Sequence, residues 1–181
     1  MQYSVTHLVV MGVAGSGKST IAAALSQQLG WACAEADEFH PQSNIDKMTQ
    51  GIPLQDEDRW PWLQEIQGWM THNAAAGTST VLTCSALKQS YRTLLSDAKG
   101  RVLFVHLDGT AELLGQRMQG REGHFMPPTL LPSQLATLEP LTSSELAAGS
   151  LRLDITKSPE EIVATVLEAL KLPAHAEPHA A

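Results

Sequence analysis

Gly12, Val13, Ala14, Gly15, Ser16, Gly17, Lys18, Ser19 and Thr20 form the stretch whose residue types and spacing speak most directly of chemistry. Glycines at 12, 15 and 17 open backbone dihedrals closed to other residues, so successive N–H groups can turn inward around an anion. A helix is predicted from Lys18 to Leu29, and its positive end adds to this cradle. The Lys18 ammonium can reach the β- and γ-phosphates of a nucleotide, and the Ser19 hydroxyl can hold Mg²⁺. An apolar run, His7 to Met11, leads in as a strand, while Ile21, Leu25 and Leu29 recur at helical spacing until Gly30. That context marks a phosphate-binding loop rather than a glycine turn that binds nothing.

Other chemistry-bearing residues fall into four groups. Asp37 follows the second apolar run, where a carboxylate can orient an acceptor hydroxyl, take its proton late, or reach Mg²⁺ through water. His40, just before Pro41, is less telling, because most lone histidines pack or hydrogen-bond. Arg59 stands at a helix start, where a guanidinium gains nothing from the dipole, so a bound carboxylate or phosphate explains it better. Lys88 and Arg92 lie one helical turn apart after a third run, with Ser85 expected to cap their helix. A solvated basic face is the bland alternative for this pair, and its position after a strand favours substrate. Arg117 and Arg121, followed by Gly123 and Pro127-Pro128, suggest a helix breaking into a mobile lid over roughly 117–130.

The elements that must position these groups are five short apolar runs, at 6–11, 31–36, 79–84, 101–107 and 151–155, with helical patterns between them. Such alternation predicts an α/β fold with a five-stranded parallel sheet covered on both faces. Ligands then bind beyond the carboxyl ends of the strands, which is where the loop, Asp37 and Lys88 fall. Acids and Pro61 are expected to precede a helix in which Trp62, Leu63, Ile66, Trp69 and Met70 pack inward. Ser158-Pro159-Glu160-Glu161 predicts a capped final helix.

Length and composition bound the rest. The 181 residues suit a single domain spanning 1–172, and the tail at 173–181 has too little to bury and is expected to be disordered. A net charge of −7 argues against a nucleic-acid or acidic-membrane surface, so an anionic ligand must be captured locally. No run is long enough to cross a bilayer and no signal peptide is visible, which predicts a cytoplasmic protein. Cys33 and Cys84 both lie in apolar runs and are expected to be reduced core residues without chemistry.

Taken together, the phosphate loop, Asp37 with His40-Pro41, Asn44, Lys47-Met48, Asp56, Asp58-Arg59, Pro61-Trp62-Leu63, Cys84-Ser85-Ala86-Leu87-Lys88, Tyr91-Arg92, Gly123-His124-Phe125-Met126 and Ser133-Gln134 resemble the small P-loop gluconokinases. These share the three-layer fold of the shikimate and nucleoside monophosphate kinases. The resemblance implies ATP-dependent phosphorylation of the 6-hydroxyl of D-gluconate, with ATP and Mg²⁺ as cofactors and a homodimeric state. It further implies that Gly12 to Thr20 bind the ATP phosphates, that Lys18, Asp37 and Arg121 are catalytic, and that Arg117 and Arg121 lie near the nucleotide. Asp37, His40, Lys47, Arg59, Lys88, Arg92, His124 and Gln134 become candidates for the sugar acid. Glu35-Ala36 departs from the Asp-Gly usual in that family, which bears on how Mg²⁺ is held through water. A kinase for another hydroxy acid, such as shikimate, is the nearest rival. A nucleotide-dependent switch is a further one, although the chain has no Asn-Lys-x-Asp guanine signature.

Overall fold

The computed structural model describes residues 5–119 and 131–171. Its centre is β1 (Thr6–Met11), in which Leu8, Val9, Val10 and Met11 are all fully buried. Successive strand side chains point to opposite faces, so both faces of the sheet must be covered, as the continuous apolar run predicts. β1 lies between β3 (Thr80–Thr83) and β4 (Arg101–Asp108), with β2 (Ala32–Glu35) and β5 (Leu151–Asp154) at the edges. All pairings are parallel, in the order β2-β3-β1-β4-β5, so every strand delivers its carboxyl end to one rim of the sheet.

Helices supply the outer layers. α1 (Lys18–Leu29) packs against α8 (Pro159–Ala169), and α3 (Asp56–Ala75) against α4 (Gln89–Ser96). α2 (Gln42–Thr49) precedes α3, while α5 (Ala111–Gln119), α6 (Leu131–Thr137) and α7 (Ser143–Ala147) follow β4. As the sequence predicts, α8 opens on Pro159 with the Ser158 hydroxyl accepting from the Glu161 N–H at 3.2 Å.

Three expectations need correction, and one helix, α7, goes unpredicted. Ser85 does not cap α4: Ala86 adopts a left-handed φ of 46°, which a helix cannot continue through, and Lys88 becomes the residue before the first turn. α3 begins earlier than predicted, so its acids and Pro61 lie inside the helix, and Gln55 and Asp58 form its reciprocal cap. α7 carries too few apolar residues to announce itself by periodicity; a Thr142–Glu145 cap sets its start. Cys33 is exposed, because β2 is an edge strand with an incompletely covered face, whereas Cys84 is buried. The lid core and the tail lie outside the described residues.

Candidate active site

The nest forms where β1 ends. Gly12, Gly15 and Gly17 hold φ values of 149°, 83° and 93°, all in the region that side chains disfavour. At Gly12 a Cβ would also stand 2.8 Å from Ser16 Oγ and 2.9 Å from the Leu107 carbonyl, so the turn is closed to larger residues. Gly17 leads into α1, whose first turn has no acidic side chain to offset the positive end. The Lys18 Nζ donates to the carbonyls of Gly12 and Val13 at 3.0 and 3.1 Å, folding the ammonium back over the loop.

A cleft of about 680 Å³ opens beside the nest and extends over the rim of the sheet towards α2 and α3. Lys18, Ser19, Glu35, Asp37, His40 and Arg59 all line it, so groups from three separate stretches of chain meet there. Asp37 enters on a 3₁₀ turn, Ala36–Phe39, which is tied down by the Trp62 indole donating to the Ala36 carbonyl at 2.7 Å. Trp62 therefore serves two purposes: it is core, as its helical spacing predicts, and it fixes the turn that carries Asp37. Glu35 faces Thr83 across the parallel register and accepts its hydroxyl, so the longer acid is pinned at the cleft wall.

His40 stacks on Trp62 with ring centroids 4.1 Å apart and planes 12° apart. Burial, helped by the Arg59 charge, pushes its pKa down to about 4, so the ring is neutral at ordinary pH. Its Nδ1 meets the amide nitrogen of Asn44, four residues on, at 3.2 Å.

The basic candidates divide sharply. Lys47 pairs with Asp58 at 2.8 Å and Lys88 with Asp56 at 3.1 Å, and neither lysine lines the cleft. The carboxylates feel these partners: Asp58 is held below its usual range first by Lys47, and Asp56 first by the Tyr91 hydroxyl and then by Lys88. Arg59 does line the cleft, and its guanidinium donates to the Tyr91 hydroxyl at 2.9 Å. That hydroxyl in turn donates to Asp56, so Arg59 is held from behind by a relay running to Lys88.

Arg92 requires a correction, because the structure does not bring it to the cleft. It is 1% exposed, and its five N–H groups all have protein acceptors. They meet Glu145 through Nε and one terminal nitrogen, and the carbonyls of Ala86, Glu139 and Pro140. Arg92 ties α4 to α7 and has no donor left for a substrate. Gln134, expected at the sugar acid, lines the cleft from the nest side and accepts the Ala14 N–H at 2.7 Å through its amide oxygen. Arg117 also lines the cleft and donates to the Ile155 carbonyl at 2.8 Å. Arg121 and His124 lie outside the described residues.

Four functional neighbours, Asn44, Asp56, Thr83 and Tyr91, carried no assigned role in the sequence. His40 lies in extended backbone before α2, so its meeting with Asn44 depends on the turn at Pro41 rather than on helical spacing. Tyr91 with Asp56, and Thr83 with Glu35, are joined by helix packing and strand order, which no local spacing encodes.

A family model described as an AAA domain matches residues 8–141. The gluconokinase of Gluconobacter oxydans is 53% identical over 132 residues, covering 73% of this chain and 74% of that protein. A probable gluconokinase of Rattus norvegicus is 44% identical over 91% of this chain and 97% of its own length. The chain belongs to the gluconokinase family. Among solved structures, a gluconokinase from Sinorhizobium meliloti superposes with a TM-score of 0.80 at 40% identity, covering 94% of both chains. This gluconokinase-family cleft thus has a phosphate nest at one end, a carboxylate in the middle and a guanidinium at the other.

Proposed function

We propose that the protein transfers the γ-phosphoryl group of ATP to the 6-hydroxyl of D-gluconate, giving 6-phosphogluconate and ADP. The observation that carries this reading is that one cleft holds both the nest and Asp37, in a chain with near full-length likeness to gluconokinases.

ATP would supply the phosphoryl group, and a bound Mg²⁺ would neutralise charge on its oxygens. The residues fit such an ion: the Ser19 hydroxyl and the Glu35 and Asp37 carboxylates are hard oxygen donors lining the one cleft. No trio of His, Cys, Asp or Glu among the described residues forms a closed metal cage.

The chain's own contribution is positioning and charge. The N–H groups from Gly15 to Ser19, with the Lys18 ammonium, hold the phosphates, and Arg117 stands over the nucleotide side. Asp37 accepts a hydrogen bond from the 6-hydroxyl and takes its proton as the oxygen–phosphorus bond forms and the bridge to the β-phosphate breaks. The Arg59 guanidinium binds the carboxylate of the sugar acid, since among the described lysine and arginine candidates on that side it alone lines the cleft. Arg121 and His124 keep their expected roles within this proposal, with Arg121 at the transferring phosphoryl group. Residence in the cytoplasm and assembly as a homodimer belong to the same reading; no helix among the described residues is long and apolar enough to cross a membrane.

A panel of sugar acids and shikimate with coupled ADP detection tests it. Gluconate should support turnover at least about 100-fold above shikimate, and Asp37→Asn should lower kcat at least tenfold with the KM for ATP little changed. Turnover of shikimate alone, or ADP release indifferent to any acceptor, would overturn the assignment.

A further inference from the structure

Asn44 is 2% exposed and makes two contacts through one atom. Its amide nitrogen donates to the Asp58 carbonyl at 2.8 Å and lies 3.2 Å from His40 Nδ1. Turning the amide over would set its oxygen against the Asp58 oxygen, two acceptors at the same short distance, so the main-chain carbonyl fixes which end is nitrogen. An amide –NH₂ has only donors. The atom facing it on the ring must therefore be an unprotonated Nδ1 offering its lone pair, and the one ring proton of neutral imidazole sits on Nε2. Stacking on Trp62 holds the ring plane while the amide holds its edge.

The opposite edge is available. Among the described residues, the occluded side-chain polar atoms without a partner are Ser16 Oγ and His106 Nδ1. His40 Nε2 has no described partner either and is not occluded, so it opens onto the cleft that the ring lines.

We propose that Asn44 is a positioning residue that fixes His40 as the Nε2–H tautomer, so that the ring presents an N–H donor to an oxygen of the acceptor sugar acid. The substrate half of this rests on the gluconate reading above; the tautomer half does not. A fixed donor selects a lone pair at that point of the cleft, whether hydroxyl or carboxylate, and leaves the hydroxyl's own proton for a carboxylate such as Asp37. The low pKa of His40, set by burial and the neighbouring Arg59, agrees with a ring that enters the reaction uncharged.

Long-range ¹H–¹⁵N correlation spectra of histidine-labelled enzyme at pH 7.5, without gluconate and assigned by the loss of a signal in His40→Gln, should show the Nε2–H pattern for His40. Asn44→Ala should turn that pattern into a tautomer mixture and raise the gluconate KM about tenfold, with kcat and the ATP KM within about twofold. His40→Gln, whose terminal nitrogen can stand near Nε2, should keep the gluconate KM within about threefold, whereas His40→Asn, which mimics Nδ1, should raise it at least tenfold. An Nδ1–H pattern or an even mixture in the wild type, or equal rescue by Asn and Gln, would overturn the proposal. Should Asn44→Ala fail to fold, the wild-type spectrum and the Gln/Asn pair still decide. If gluconate yields no turnover while the Nε2–H pattern is present, the substrate reading has failed and the tautomer assignment stands.

Discussion

The two ends of the cleft recognise their ligands by different means. At the nest the contacts are main-chain N–H groups held by three left-handed glycines, so recognition is written into backbone geometry over one short stretch. At the acceptor end the contacts are side chains rooted in α2, α3 and α4, and each is held by another side chain or carbonyl behind it. Away from its three glycines a nest can change its side chains and still bind phosphate. The acceptor end cannot, because removing one member leaves its neighbour unpartnered. The difference teaches that phosphate binding is a local property of the chain, whereas acceptor choice is a property of the assembled fold.

Breaking the nest should have the largest effect. Lys18→Ala removes the one side-chain cation of the 12–20 loop, and kcat should fall by at least about 1,000-fold. A loss of less than tenfold in a coupled assay would mean that the backbone alone suffices and would deepen the contrast between the two ends. Next comes a pair of arginines that separates ligand contact from scaffolding. Arg59→Ala should raise the gluconate KM by about 30-fold with an unchanged melting temperature, as expected for a lost charge-assisted contact. Arg92→Ala should do the reverse. Breaking its buried pair with Glu145 removes about 3 kcal/mol or more, a drop of about 10 °C in Tm, with the gluconate KM within about twofold at a temperature where the protein stays folded. A raised KM in stable Arg92→Ala would show that the relay extends further than the hydrogen bonds indicate.

The smallest expected effect concerns acid. His40 and His106 are both buried and both held near pKa 4, against 6.5 for an ordinary imidazole, in each case first by burial. Below pH 6.5 the unfolded chain takes up protons that the folded chain refuses until about pH 4. The stability they support is therefore complete above pH 6.5 and lost as the pH falls towards 4, by at most about 3 kcal/mol per ring. His106 stands on β4, away from the acceptor relays, with an Nδ1 that lacks a partner among the described residues. His106→Leu should remove about 2 kcal/mol of the stability difference between pH 7 and pH 5, read from denaturant midpoints. An unchanged difference would leave the acid sensitivity to His40 and the acceptor end alone.

How much of this was legible in the sequence follows the same division. The nest, the sheet and the cap of α8 were readable because each rests on short-range rules: glycine dihedrals, alternating runs and a Ser-Pro-Glu-Glu signature. Asp37 was readable because it directly follows a strand, and parallel strands send their ends to one rim. The basic residues were not. Lys47, Arg59, Lys88 and Arg92 look alike as charges, and what separates them is whether Asp58, Asp56 or Glu145 lies within reach after folding. The same holds for Ser85, whose capping role was withdrawn by a single left-handed alanine next to it.

The incompletely covered edge strand β2 leaves the chain with two thiols of very different standing. Cys84 is enclosed by the core and its pKa is pushed up to about 12 by burial, so it offers almost no thiolate at any pH the fold tolerates. Cys33 is exposed, two residues before the acid at the cleft wall, and partial desolvation and the Glu35 charge raise its pKa as well. A maleimide dye applied at mildly alkaline pH therefore marks one position without prior mutagenesis, and the native chain carries its own attachment point for a fluorescent reporter beside the cleft.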